Sequence, residues 1–168
     1  MLKDNYILLS LVFMKDSNIQ ELLDLYNSGK LEIAEKKAAE LLKENPKNFI
    51  IYNILGAILS GQNKMEQAIS NYKKSIKINP NYAEGYNNLG SELHKLKKVD
   101  ESIKNYHHAI KIKPNFAEAY NNLGISYKEI GKLNDSIQNY HQAIKINPKY
   151  AEAYNNLGIS YKEIGKLN

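Results

Sequence analysis

Residues Ala117 to Asn134 recur without a change as residues Ala151 to Asn168, 34 places further along the chain. The same shift carries Pro46 onto Pro80, Pro114 and Pro148. A fixed internal period constrains a chain more than local propensity does, because every unit must pack against a neighbour built like itself. The chain therefore reads as a stack of modules, each touching only the next, and its 168 residues hold about five of them.

Aligned on the prolines, each unit carries two helical patterns. In the unit that starts at Ala117, Tyr120, Leu123, Tyr127 and Ile130 recur at three- and four-residue intervals and form one apolar stripe. The spacing predicts a first helix over Glu118–Ile130, stopped by Gly131-Lys132. A second helix is expected over Asp135–Asn147, capped by Asn134 or Asp135, with Ile137, Tyr140, Ala143 and Ile144 as its stripe. Pro148 ends it, since a proline disfavours helical geometry in the residue before it. Connections this short force the two helices antiparallel.

The units then fall at 15–48 (degenerate), 49–82, 83–116 and 117–150, with 151–168 as the first helix of a further one. Residues 1–14 form an apolar segment, expected to cap the first unit. Each first helix from Phe49 on carries a glycine one residue after its stripe leucine: Gly56, Gly90, Gly124 and Gly158. Glycine inside a helix costs about 1 kcal/mol relative to alanine. Its recurrence implies close approach by the partner helix, with small Ala109 and Ala143 answering from the other side.

Composition removes several function classes. The chain has no Cys, which excludes disulfides and thiolate metal sites. Its formal charge is +5, but every cation is Lys and the lysines alternate with Glu66, Glu84, Glu101 and Glu118. Without Arg there is no planar fork for guanine or phosphate, so a nucleic-acid role is not expected. His107 and His108 are adjacent and diverge on a helix, and no carboxylate or thiol completes a ligand set, so no metal is expected. No phosphate loop, nucleophile elbow or paired-carboxylate motif is present, so neither catalysis nor a cofactor is expected. Ile7–Met14 is too short to span a bilayer and no small-residue cleavage site follows it. The expectation is a cytoplasmic protein without a membrane segment.

Tyr-x-x-Leu-Gly-x-x-(Leu/Tyr), followed by Ala or Ser, Tyr, Ala and Pro at a 34-residue period, resembles the tetratricopeptide repeat over about residues 15–168. The resemblance implies an all-α solenoid of antiparallel helix pairs, forming a right-handed superhelix whose first helices line a concave groove. The Ala-Glu-Ala-Tyr-Asn-Asn-Leu-Gly run is similar to repeats of the O-linked N-acetylglucosamine transferase superhelix and of bacterial arrays joined to glycosyl- or sulfotransferase domains.

Helical-wheel angles place Asn122 nearly opposite the stripe, on the groove side, and Asn121 on its flank. The pattern repeats as Asn87/Asn88, Asn121/Asn122 and Asn155/Asn156, with Asn53 alone in the unit at 49–82. A carboxamide offers donor and acceptor together, so it suits the backbone of an extended peptide whatever the peptide's side chains. The resemblance implies that Asn88, Asn122 and Asn156 hold peptide backbone. The competing reading has one Asn of each pair fixing the contact between repeats. A clamp for a C-terminal carboxylate, the family's other mode, needs lysines where this chain has Glu84, Glu118 and Glu152. His94, Lys128 and Lys162 lie further along the groove as candidate charges for acidic ligand side chains.

Asn168 aligns with Asn134, so the last unit holds one helix of its pair, and Tyr154, Leu157 and Tyr161 are expected to stay uncovered. Self-association through residues 151–168 is the expected consequence. Three roles follow: a scaffold that binds a protein or extended peptide in its groove, a recruiting or oligomerising arm of a larger transferase, or a purely structural array.

Overall fold

The prolines set the frame of the structure. In a computed structural model describing residues 17–167, four helices stop two residues before a proline: α2 (Leu31–Glu44), α4 (Met65–Ile78), α6 (Val99–Ile112) and α8 (Leu133–Ile146). The intervening residue is driven out of helical geometry, with φ −135° at Asn45, −129° at Lys113 and −127° at Asn147. Before or between them run α1 (residues 17–27), α3 (Phe49–Gly61), α5 (Ala83–Lys95), α7 (Ala117–Glu129) and α9 (Ala151–Leu167). The described residues are helical and contain no strand. No helix among them is long and apolar enough to cross a membrane. The apolar segment at 1–14 lies outside the described residues.

The chain divides into two compact units at Ile78/Asn79. In the first, Leu22 of α1, Ala34, Ala38 and Leu41 of α2, and Ile51, Ile54 and Ile58 of α3 form a continuous core. The leucines and isoleucines among them each contribute about 1.5–3 kcal/mol on full burial. Asn48 caps α3, its side chain accepting from the Ile50 and Ile51 amides at 3.0 and 3.2 Å. Ser75 on α4 donates to the Phe49 carbonyl at 2.8 Å and ties the pair together.

The second unit stacks α5/α6, α7/α8 and α9 in order. Leu89, Leu93, Tyr106, Leu123, Ile137, Tyr140 and Ala143 are buried within it. Of the stripes read from the sequence, Leu123, Ile137, Tyr140 and Ala143 are buried, Tyr120, Tyr127 and Ile144 are half-buried, and Ile130 is exposed. Serines meet at two buried contacts between layers, Ser102–Ser126 (3.2 Å) and Ser136–Ser160 (3.4 Å), each joining a second helix to the first helix of the next repeat.

The expected cap of α8 is corrected. The helix begins at Leu133, and the residue before it, Lys132, provides no side-chain cap, so Asn134 and Asp135 lie inside the first turn. The reason is the way α7 ends. Gly131 takes φ +75°, its amide donates to the Lys128 carbonyl (3.0 Å), and the Lys132 amide reaches back to Tyr127 (2.9 Å). This left-handed stop satisfies the free carbonyls and feeds straight into the next helix. The same closure recurs at Gly29, Asn63 and Lys97, the last two with φ +61° on residues that carry a Cβ.

The stripe glycines are occupied differently from the expected backbone approach. A methyl group built on Gly56, Gly90 or Gly124 would lie 2.6–2.7 Å from Cε1 of Tyr72, Tyr106 or Tyr140. A tyrosine ring from the second helix of each pair occupies the space the missing side chain leaves. Close packing of this kind tolerates no added carbon without movement.

Candidate functional site

The asparagine pairs on α5, α7 and α9 build a repeated hydrogen-bonded rung within the second unit. Glu118 and Asn122 stand one turn apart on α7, which puts them on one face of the helix. Between them they hold both ends of the Asn87 carboxamide on α5. Asn122 Nδ2 donates to Asn87 Oδ1 at 3.1 Å, and Asn87 Nδ2 donates to Glu118 Oε1 at 3.1 Å. One repeat on, Asn156 Nδ2 donates to Asn121 Oδ1 at 3.0 Å, and Asn121 Nδ2 donates to Glu152 Oε1 at 3.2 Å.

Burial separates the members of each pair. Asn87 and Asn121 are 1% and 0% exposed, so a buried amide here needs these partners to offset its lost hydration. Asn88, Asn122 and Asn156 are half-buried, and Asn53 on α3 is buried. Asn155 is exposed on α9. Of the seven predicted asparagines, four are hydrogen-bonded to one another across α5, α7 and α9: Asn87 with Asn122, and Asn121 with Asn156.

Around the rungs the electrostatics are local. Burial, followed by the charges of Glu152 and Glu118, pushes the Tyr150 phenol up to about 12. Glu84, equivalent to Glu118, is partly desolvated, which alone would raise its pKa; the Lys113 ammonium at 2.7 Å overrides this and holds it low. Lys113 also lies 4.6 Å from the Phe116 ring centroid.

The candidate charges differ in setting. His94 Nε2 on α5 lies 2.7 Å from Glu129 Oε2 on α7, and Lys97 Nζ lies 3.0 Å from Glu129 Oε1. The Lys97 hydrogen bond, with help from His94, holds the Glu129 carboxyl below its ordinary value. His94 thus links two repeats. Lys128 is half-buried near the end of α7, and Lys162 is exposed on α9. No group of three or more His, Cys, Asp or Glu among the described residues is arranged to hold a metal ion.

Two contacts were not anticipated from sequence. His107 Nε2 meets the Tyr127 hydroxyl at 3.0 Å, and His141 Nε2 meets Tyr161 at 2.9 Å, each histidine reaching from a second helix to the next first helix. Burial, and then the neighbouring His108, lowers the His107 pKa. The legible signal was the common offset of 20 residues in two successive units. Likewise the role of Glu118 and Glu152 was legible in their recurrence four residues before Asn122 and Asn156.

Antiparallel helix pairs, each packed on the next through contacts that recur from repeat to repeat, define a helical-repeat scaffold, the class of protein that offers a surface to other proteins. A family model of the TPR repeat matches residues 56–97, 90–131 and 126–165, and the chain belongs to the tetratricopeptide repeat family. No curated protein matches the sequence. A crystal structure of MamA is 27% identical, with a TM-score of 0.75 over 84% of this chain and 83% of that one. PilF of Pseudomonas aeruginosa superposes with a TM-score of 0.83 at 19% identity, over 90% of this chain and 70% of its own. The first TPR domain of Spaghetti (RPAP3), bound to the HSP90 peptide SRMEEVD, gives 0.68 at 21% identity, over 70% of this chain and 93% of that one.

Proposed function

We propose that the face carried by α5, α7 and α9 binds an extended segment of another protein, with Asn88, Asn122 and Asn156 meeting its backbone. The observation that carries this reading is the rung. Asn122 and Asn156 each commit one Nδ2 hydrogen to the buried asparagine of the preceding repeat. That bond sets the carboxamide's orientation, and its oxygen and second hydrogen are the complement of a peptide unit. Neighbouring helices lie about 8–10 Å apart, and an extended chain advances about 3.3 Å per residue. A bound segment would therefore meet one asparagine about every three residues. Lys128 and Lys162 are the charges for acidic side chains on such a ligand, while His94 serves it through the Glu129 contact.

The test is selection from a library of random peptides by the parent chain and by its Asn88→Ala/Asn122→Ala/Asn156→Ala variant, with far-ultraviolet circular dichroism confirming that the variant is folded at the selection temperature. Extended peptides enriched by the parent and lost by the folded variant support the reading; equal enrichment by both overturns it.

A second reading, a self-contained structural array, draws on the burial of Asn87 and Asn121 with their amides engaged in the next repeat. It predicts no enrichment by either protein.

A further inference from the structure

One corner of the helix pair recurs in two successive repeats, and its charge is balanced in the first of them alone. There the Lys113 ammonium, at the end of α6, lies 2.7 Å from Glu84 Oε1 on α5 and 4.6 Å from the centroid of the Phe116 ring that precedes α7. A carboxylate and an aromatic face hold one ammonium between them, the cation meeting the negative face of the ring. Shifted by 34 places, Glu84 becomes Glu118, Phe116 becomes Tyr150, and Lys113 becomes Asn147. The acid and the ring are kept, and a neutral carboxamide stands where the cation was.

The second corner is built like the first. The Asn147 amide closes α8 on the Ala143 carbonyl at 2.9 Å, as the Lys113 amide closes α6 on Ala109 at 2.9 Å. The Tyr150 amide donates to the Asn147 carbonyl at 3.1 Å, and Phe116 donates to Lys113 at 3.2 Å. Asn147 Oδ1 accepts from the Lys149 amide at 3.1 Å, which turns the carboxamide back onto its own loop. Glu118 Oε1 accepts from Asn87, and among the described residues no ammonium pairs with this carboxylate. Its charge reaches Tyr150: burial, then Glu152, then Glu118 hold that phenol protonated beyond its ordinary range. Later helices do not cover the corner either. Among the described residues α5 packs on α6 and α7 but not on α8 or α9. Glu118 stands on α7, whose partner α8 and follower α9 are both in place, so the corner lacks a cation and not a helix.

We infer that Glu118 and Tyr150 form a subsite for the side-chain ammonium of a lysine on the bound segment, in the place that Lys113 fills one repeat earlier. The subsite depends on the groove proposed above for its lysine, since Glu118 stands one turn before Asn122 on the same face of α7. It adds a selection rule to backbone recognition: the segment carries a lysine close to the residue that meets Asn122. The contact is partly exposed, as Lys113 and Glu84 are at 42% and 40%, so it changes affinity severalfold and not by orders of magnitude.

The probe is Nα-acetyl-lysine methylamide, titrated into the full chain at matched ionic strength up to high-millimolar concentration, with the norleucine analogue as the uncharged control. Nuclear magnetic resonance should show shifts at Glu118 and Tyr150 with the lysine probe and none with the control. Glu118→Gln, which keeps an acceptor for Asn87, should abolish the shifts. Asn147→Lys, which supplies the cation from within the chain, should abolish them as well. Random-peptide selection then identifies the source. Peptides selected by the parent should carry lysine at one fixed position severalfold above its frequency in the library, and those selected by Asn147→Lys should not. Equal shifts from both probes, no shift from either, or shifts that survive Asn147→Lys overturn the inference, as do selected peptides without that lysine. A silent parent whose Lys149→Ala variant responds gives the corner to the chain's own Lys149 and overturns it too. An empty selection with the probe response intact overturns the groove reading and leaves the ammonium subsite standing; a productive selection with a silent probe does the reverse.

Discussion

Gly124 and Gly158 sit in the same eighteen-residue sequence, so replacing each with alanine changes the local helix propensity by the same amount, a gain of up to about 1 kcal/mol. What differs is the space. At Gly124 the new carbon would stand 2.6, 2.8 and 3.0 Å from three atoms of the Tyr140 ring, and that ring is fully buried. Restoring ordinary contact near 3.4 Å requires the ring or the α7–α8 spacing to yield by several tenths of an ångström. Overpacking of this kind costs about 1–3 kcal/mol. At Gly158, where a built methyl group meets nothing within 4 Å, no such cost arises. Gly124→Ala is therefore expected to be less stable than Gly158→Ala by about 1–3 kcal/mol, the propensity change cancelling between them. For a chain of this length that is a difference in melting temperature of about 2–12 °C. The assay is thermal unfolding followed at 222 nm, with amide hydrogen exchange in α7 and α9 to localise the change. Gly124→Ala matching or exceeding Gly158→Ala would refute the tyrosine-on-glycine account of the layer.

Other perturbations separate the remaining contacts. Lys97→Gly should stabilise by about 1 kcal/mol, because φ +61° costs a residue with a Cβ, while its exposed pair with Glu129 is worth only a few tenths; denaturant titration measures the difference. Asn87→Ala should cost about 1–3 kcal/mol by leaving Glu118 and Asn122 without their buried partner, seen in the same titration. Alkaline pH should unfold the protein through its half-buried phenols. Burial, and then nearby glutamates, raise Tyr82 and Tyr150 to about 12, above the ordinary value of 10.0, so the neutral form is favoured by folding. Their contribution is complete below pH 10 and is lost as pH rises towards 12; absorbance at 295 nm should therefore show part of the tyrosine titration delayed until the helical signal falls.

The helix pairs were legible because proline and the apolar stripe act locally, and each acts the same way in every unit. The asparagine rungs were only half legible. A helical wheel puts Asn121 on the flank of α7, but its partners Glu152 and Asn156 belong to the following repeat, which no single-helix diagram contains. The stop of α7 shows the limit most directly. Gly131 turns left-handed and ends its helix, whereas Gly165, in an identical run of residues, lies within α9.

The rung between repeats also bears on how such a chain can grow. Asn87 supplies one half of a joint whose other half, Glu118 and Asn122, belongs to a unit that carries Asn121 as the first half of the next. A single copy of the module therefore encodes both the plug and the socket of its own junction. Duplicating the coding segment yields a working joint at once, with no compensating change needed on either side. The unchanged recurrence of Ala117–Asn134 at Ala151–Asn168 is what lengthening by copying leaves behind.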